Sequence, residues 1–151
     1  MNRLTLFSIP IDSLTEDELV MAFERFIHED KAHIVTTPNS EMLVDARRDK
    51  ALCTALQKSD LSLPDGVGLE YAFWFLERSH IIRHPGVSVV PRAVEIAHKA
   101  DKSILLFGGR PEDAEKICAR WCQQYQNLRV ACLDPGIIDP LLPRIPEAAR
   151  L

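Results

Sequence analysis

The sequence lacks the features that define several large classes of protein. It has no run of Lys and Arg that would form a basic stripe, and its formal net charge is −4, which argues against binding to nucleic acid. No apolar run approaches the roughly 18–20 residues that span a bilayer, and the first residues do not resemble a signal peptide. We therefore expect a cytosolic protein, with peripheral attachment to the inner face of the membrane as the alternative.

Cysteine is scarce and carries no metal-binding pattern. The four cysteines, at positions 53, 118, 122 and 132, form no Cys-x-x-Cys pair, and no His stands near Cys118 and Cys122 to complete a site. A disulfide framework is not expected in a domain of this size. Because Cys118 and Cys122 share the apolar face of a helix, we expect both to pack in the core as small hydrophobic side chains.

The chain does contain a regular alternation of strand and helix patterns, which predicts an α/β fold. An apolar content of 46% in 151 residues is enough for one domain with a real core. We expect this α/β domain to cover residues 1–138 and a proline-rich tail to cover 139–151. The expected strands are 4–11 (one strand, or two broken near Pro10), 33–36, 61–63, 103–107 and 128–133.

Several helices carry clear boundary signals. Thr15 and Glu18 form a capping box, and Pro111 opens a helix after a glycine turn. Ser88 is a candidate cap for a helix running to about residue 100, which places Pro91 in the first turn. A helix over 68–77 is apolar almost all round, which predicts a deep core position or a subunit contact, with a membrane contact as the alternative.

Two strand-to-loop junctions hold the polar residues with the best potential for chemistry. Asp65 and Gly66 follow the strand at 61–63, and the end of a strand is where open α/β folds bind ligands. Desolvation in a cleft would suit Asp65 to act as a general base. The alternative is a structural Asp in a turn or at a helix N-terminus, which local spacing favours.

The second junction offers Thr37 and Asn39 on either side of Pro38, followed by Glu41. A hydroxyl and an amide at a strand end can orient a polar ligand. The alternative, which local spacing again favours, is that Asn39 or Ser40 only caps the next helix. Glu41 stands near that helix N-terminus, where an acid is favourable in any case.

Two further segments carry weaker signals. Arg83 could pair with a diphosphate, although a solvated surface Arg is the commoner outcome, and no role is assigned to the neighbouring His84. Gly108 and Gly109 turn the chain from a strand into a helix whose N-terminal amides could bind phosphate. The full Gly-x-Gly-x-x-Gly motif is absent, so tight turn geometry is an equal explanation.

Four segments occur in an order that resembles one known family. They are Thr-Pro-Asn-Ser-Glu at 37–41, Leu-Pro-Asp-Gly-Val-Gly at 63–68, Arg-His-Pro-Gly at 83–86, and Leu-Phe-Gly-Gly-Arg-Pro at 106–111. Together they resemble the WecG/TagA/CpsF glycosyltransferases over roughly residues 4–138. The resemblance implies a Rossmann-like, three-layer α/β domain with a mostly parallel sheet.

The same resemblance implies an inverting glycosyltransferase. Its donor would be a UDP-linked N-acetylhexosamine such as N-acetylmannosamine or its uronic acid, and its acceptor a polyprenyl-diphosphate-linked sugar in cell-surface polysaccharide or teichoic acid synthesis. Asp65 matches the proposed general base, and catalysis is expected to need neither a metal ion nor a cofactor. Substrate-binding roles would fall on Thr37, Asn39, Glu41, Gly66, Arg83, Gly108 and Gly109.

The chain also departs from the family pattern. Family domains continue beyond the strand near Leu133 with further strands, a Gln-Glu motif and often a basic tail, none of which we find here. An acid that usually follows Gly86 is also missing. We therefore expect a member shortened at its C-terminal end, whose open sheet edge favours a homo-oligomer. The alternative function is a non-catalytic nucleotide-sugar-binding or assembly module.

Overall fold

The computed structural model describes residues 2–136 as an α/β protein. The chain divides into two compact units, Met1–Ile96 and Ala97–Leu151, and each is described here by itself. The expected proline-rich tail at 139–151 lies outside the described residues. The elements are β1 (Asn2–Leu6), β2 (Ile9–Ser13), α1 (Glu16–His28), β3 (Val35–Thr36), α2 (Ser40–Ala46), α3 (Lys50–Gln57), β4 (Leu61–Ser62), α4 (Val67–Glu77), α5 (Gly86–Lys99), β5 (Ile104–Phe107), α6 (Pro111–Gln124) and β6 (Val130–Leu133).

The first unit opens with an antiparallel hairpin of β1 and β2. The predicted break near Pro10 is wrong, because the chain turns at Phe7 and Ser8, whose φ angles of 50° and 66° are both positive. A two-residue turn with positive φ at both positions has a twist that matches the twist of the two strands it connects. Pro10 stays within β2 opposite Thr5, which a two-stranded sheet tolerates because each strand has a free edge.

The first helix begins as the sequence predicts. The Glu18 backbone N–H donates to Thr15 Oγ1 at 3.2 Å, and the Thr15 N–H donates to Glu18 Oε2 at 2.9 Å. These two bonds confirm the capping box and satisfy two otherwise unpaired donors of α1.

A short parallel pair, β3 and β4, lies at the centre of the first unit. Each strand has two residues, fewer than the sequence predicts, since buried prolines follow both at Pro38 and Pro64. The hairpin joins this pair through Asp12, which is fully buried, is held by Arg3 in two contacts of 2.7 Å, and accepts the Ser62 N–H at 2.8 Å. Such a bidentate pair satisfies a carboxylate that would otherwise be costly to bury.

Two apolar clusters fill the first unit. One joins the hairpin to α2, α3 and α4, and its largest fully buried member is Phe73. The other joins α1 and α5 to β4 through side chains that include Leu19, Leu63 and Val89. The carboxyl ends of β3 and β4 are therefore supported by packed helices.

The apolar helix over 67–77 does not lie in a deep core, so the core half of that expectation is wrong, and the subunit contact stays a prediction. Only Leu69 and Phe73, four residues apart, are buried. The side chains of Tyr71, Trp74 and Phe75 are between 50% and 69% exposed. One face of α4 thus packs on the unit, and the other is an exposed aromatic surface.

The helix α5 begins at Gly86, two residues before the predicted cap at Ser88. The Val89 N–H donates to the Pro85 carbonyl at 3.0 Å, which makes Pro85 the residue before the helix. Pro91 therefore falls in the second turn and not the first. It removes one hydrogen bond to the carbonyl of Val87, a residue that is 84% exposed and can bond water instead.

The second unit contains a parallel pair, β5 and β6, joined by α6. The predicted buried strand at 103–107 is half exposed, because Leu105 and Phe107 point to the open side at 44% and 50% exposure. The core role predicted for the cysteines is also wrong. Cys118 on α6 forms a disulfide with Cys132 on β6, and Cys122 is exposed.

Candidate functional site

Three loops meet at the carboxyl end of the β3–β4 pair. The Asp65 N–H, after β4, donates to the Pro38 carbonyl, after β3, at 2.9 Å. The His84 N–H, in the loop before α5, donates to the Pro64 carbonyl at 2.9 Å. These two backbone bonds place segments 37–39, 64–66 and 84–86 side by side, at the end of a parallel sheet where open α/β folds bind ligands.

The carboxylate of Asp65 lies where these loops converge. Its Oδ2 accepts the Gly86 N–H at 3.0 Å, and the residue is partly buried. A Cβ added at Gly86 would stand 3.3 Å from Thr37 Oγ1 and 3.6 Å from Asp65 Oδ2. The three groups are therefore close neighbours, and within residues 2–136 Asp65 forms no ion pair.

Asn39 has the capping role that local spacing favours. Its Oδ1 accepts the Met42 N–H at 2.9 Å and so begins α2. The same residue also borders the Asp65 loop, since a Cβ added at Gly66 would lie 3.9 Å from the Asn39 Cβ. Gly66 has a φ of +86°, a value that glycine adopts without strain. The cap uses the amide oxygen of Asn39 and leaves its NH₂ group as a donor.

Two helices start beside this cluster. A Cβ added at Gly68, in the first turn of α4, would come within 2.7 Å of Ser40 Oγ at the start of α2. The N-terminus of α4 has no side-chain cap, so its first amides are donors for water or for a ligand. Glu41 lies in the first turn of α2 and is exposed to solvent.

Arg83 lies in the same loop as Gly86 but is not a free cation. Its Nε is 3.7 Å from Glu70 Oε2 on α4, and the two side chains are 38% and 42% exposed. A half-exposed pair of this kind contributes about 0–1 kcal/mol, so an incoming phosphate can compete with Glu70 for the guanidinium.

His84, to which the sequence assigns no role, is buried beside this cluster. The residue is 6% exposed, and its Nε2 lies 2.9 Å from the Leu14 carbonyl oxygen. Leu14 is 70 positions away in the sequence, so no local pattern indicates this contact. The sequence shows only a His before a Pro-Gly pair, a pattern that does not distinguish a buried His from an exposed one.

Gly108 and Gly109 belong to the second unit. Their φ values of +87° and +85° confirm a tight glycine turn, and an added Cβ at either would meet no described atom within 4 Å. Pro111 is the first residue of α6, as predicted.

Two cavities open on the described part of the first unit, one along α3 and one beside the first turns of α4. An apolar one of about 900 Å³ runs along α3 from Ile34 and Thr36 to Lys58. Another, of about 410 Å³, is lined by Val67, Glu70, Tyr71, Trp74 and His80. Within the described part of the chain, no three His, Cys, Asp or Glu side chains are grouped to hold a metal ion, and no helix is both long and apolar enough to cross a membrane.

The structure thus defines a mixed α/β protein, consistent with a Rossmann-like fold, that carries a polar cluster at the carboxyl ends of parallel strands. The model of the Glycosyl transferase WecG/TagA/CpsF family matches residues 4–148, and the chain belongs to this family. The match covers all four segments on which the resemblance depends.

The chain is also similar to a characterised enzyme. It is the N-acetylglucosaminyldiphosphoundecaprenol N-acetyl-beta-D-mannosaminyltransferase of Bacillus subtilis (strain 168), which is 22% identical to this chain over 139 residues. The aligned region is 91% of this chain and 54% of the relative. The chain therefore spans about half the length of the relative that it matches.

Proposed function

We propose that the protein is an inverting glycosyltransferase. It transfers an N-acetylhexosamine-type sugar, N-acetylmannosamine or its uronic acid, from a UDP-sugar to a polyprenyl-diphosphate-linked acceptor. Membership of the family and the name of the relative support transfer of an N-acetylmannosaminyl group to a polyprenyl-diphosphate-linked acceptor. The product would enter cell-surface polysaccharide or teichoic acid synthesis.

The position of Asp65 is the observation that carries the proposal. One carboxylate oxygen is held by the Gly86 N–H, which fixes the rotamer, and the other is left for a substrate. In an inverting transfer, Asp65 accepts the proton of the acceptor hydroxyl while that oxygen attacks the anomeric carbon. The bond to the UDP oxygen breaks on the opposite face of the sugar, so the anomeric configuration inverts.

The neighbouring groups suit the remaining tasks. The hydroxyl of Thr37 and the NH₂ group of Asn39 are suited to binding sugar hydroxyl or acetamido groups beside Asp65. The uncapped amides at the start of α4 and the side chain of Arg83 are suited to the negative charge of the leaving diphosphate. The lack of a side chain at Gly66 keeps the approach open. Roles for Glu41, Gly108 and Gly109 in substrate binding stay predictions.

A second candidate function has its own support. The bond from Gly86 to Asp65 also satisfies the first amide of α5, which is a purely structural task for an Asp. This structural task favours a module that binds a nucleotide sugar or assists assembly without catalysing transfer.

Asp65→Asn tests the two candidates. The amide oxygen of the new side chain still accepts the Gly86 N–H, so the fold is retained while the base is lost. We expect transfer from UDP-N-acetylmannosamine to a polyprenyl-diphosphate-N-acetylglucosamine analogue to fall by roughly 10²–10⁴-fold. Asp45→Asn, at an exposed position on α2, is the matched control and should keep full activity.

Calorimetry with UDP completes the test. Binding of UDP by both the parent protein and Asp65→Asn, together with turnover by the parent alone, supports the glycosyltransferase. Binding without any turnover supports the non-catalytic module. Turnover that survives Asp65→Asn would remove Asp65 as the base.

We also propose that the exposed aromatic face of α4 is a contact surface. Tyr71, Trp74 and Phe75 are too large and too close together for an ordinary solvated helix face. A second copy of the chain is the expected partner, and the surface of a membrane is the alternative. Sedimentation of the Trp74→Glu variant, with and without anionic vesicles, separates a lost oligomer from lost vesicle binding.

A further inference from the structure

His84 has a buried ring with one well-defined hydrogen bond. Its Nε2 is 2.9 Å from the Leu14 carbonyl oxygen, in the connection between β2 and α1. Because a carbonyl oxygen only accepts, Nε2 must carry the proton of this bond. Nδ1 faces the Glu16 carboxylate, 3.9 Å from Oε2, which is beyond hydrogen-bond distance.

The backbone of the same residue makes a second connection. The His84 N–H donates to the Pro64 carbonyl, one residue before Asp65. Two residues further on, the Gly86 N–H donates to Asp65 Oδ2 at 3.0 Å. The loop that orients Asp65 is thus attached to the rest of the unit through the ring and the backbone of His84, and at its start through the Ile82 N–H, which donates to Ser13 Oγ at 2.9 Å.

The far side of this loop is fixed as well. Arg92, on α5, contacts Glu16 Oε1 through both Nε and Nη2 at 2.9 Å. This pair joins the body of α5 to the start of α1, close to Leu14. Arg83 adds only a half-exposed pair with Glu70, so the buried side-chain hydrogen bond among residues 83–86 is the one that the His84 ring makes with Leu14.

We propose that His84 is a positioning residue. Its Nε2–H bond to Leu14 holds the 83–86 loop so that the Gly86 amide orients the Asp65 carboxylate; the consequence for transfer rests on the proposed role of Asp65. The ring itself does not touch substrate. The same bond links the candidate site to the β2–α1 connection.

Variants that move the donor along the side chain test this assignment. In His84→Gln the amide nitrogen takes the place of Nε2, whereas in His84→Asn it takes the place of Nδ1, on the side of Glu16. His84→Leu removes the donor altogether. His28→Leu makes the same chemical change at an exposed His in the last turn of α1 and serves as the control.

Hydrogen exchange of the Gly86 amide in the full chain, followed by NMR, reads the effect without an activity assay. Loss of its hydrogen bond should speed exchange by roughly tenfold in His84→Leu and His84→Asn. His84→Gln and His28→Leu should stay near the parent rate. Unchanged exchange in a folded His84→Asn variant, or equal acceleration in His84→Gln and His84→Asn, would overturn the proposal.

Turnover then separates this inference from the proposed function. A misplaced base should lower kcat by roughly tenfold or more, with the donor KM nearly unchanged, and His84→Gln should restore kcat. If exchange responds as expected while Asp65→Asn keeps full activity, His84 positions the loop and the proposed base is wrong. If exchange does not respond while Asp65→Asn is inactive, the base stands and the His84 proposal fails.

Discussion

The two parallel strand pairs share one local sequence pattern, but the glycines that follow them have different surroundings. Each pair has a strand, then a loop with glycine, then a helix. After β4, glycines 66, 68 and 86 all have neighbours within 4 Å, and three loops are joined by hydrogen bonds. After β5, Gly108 and Gly109 have open space on that side in the described residues. A strand–glycine–helix pattern therefore predicts a turn. It gives a cluster of polar groups only where other loops contact that turn, as they do after β4.

The side chains that support the first strand pair are also more deeply buried than those of the second pair. Removing one of them should therefore have the largest effect on stability. Phe73 is fully buried behind the site, so Phe73→Ala should lower the free energy of unfolding by about 3–5 kcal/mol. Leu105, in the second pair, is 44% exposed, and Leu105→Ala should cost less than about 1.5 kcal/mol. Urea unfolding measures both, and equal losses would break the comparison.

The stability of the second unit depends on a disulfide bond, whereas that of the first unit depends on its packed apolar clusters. The disulfide between Cys118 and Cys132 spans 14 positions, and closing a loop of that size is expected to stabilise the region by about 3 kcal/mol. Cys118→Ser should lose that amount, read from the fluorescence of the buried Trp121 in a Trp74→Phe background. Cys122→Ser, at the exposed free cysteine of the same helix, should change little.

Counting the free thiols of the protein tests whether the disulfide between Cys118 and Cys132 is present. The denatured, unreduced protein should show two free thiols, those of Cys53 and Cys122, and four after reduction. Four thiols before reduction would mean that Cys118 and Cys132 are not joined.

The local signals in the sequence predicted local features, and the contacts that complete the site are not local. The capping box at Thr15 and the turn at Gly108 each involve residues within a few positions of one another. Asp65 takes its partner Gly86 from 21 positions away and His84 takes Leu14 from 70. Spacing along one element carries no information on such pairs.

The same reason accounts for the errors. The apolar helix face of Cys118 predicts a core position, but its disulfide partner Cys132 lies on another element. The helix α4 is apolar on most sides, and only the tertiary arrangement decides that Phe73 is buried while Phe75 is exposed. The family resemblance names three segments, 37–41, 63–68 and 83–86, that the structure brings together, since it reflects the whole arrangement and not one element.

Glycine substitution sharpens the comparison between a crowded and an open turn. A Cβ at Gly68 would stand 2.7 Å from Ser40 Oγ and 3.1 Å from Ser40 Cβ, so Gly68→Ala should destabilise by about 1–3 kcal/mol, partly offset by better helix propensity. Adding Ser40→Gly should recover most of that loss. Gly109→Ala should cost about 1–2 kcal/mol through its positive φ alone, and Ser40→Gly should leave that cost unchanged.

The smallest expected effect concerns Asp60, at the amino-terminal end of β4. The Ile34 N–H donates to Asp60 Oδ2 at 2.9 Å, and this bond, with a contribution from His33, lowers the pKa of Asp60. A folded pKa below the unfolded value means that the stabilisation is complete above about pH 4 and is lost as the pH falls through the folded pKa. Asp60→Asn should therefore flatten the decline of the urea midpoint between about pH 5 and pH 2. Asp30→Asn, at an exposed position, should keep the parent slope, and an equally steep decline in Asp60→Asn would show that the Ile34 bond does not link Asp60 to folding.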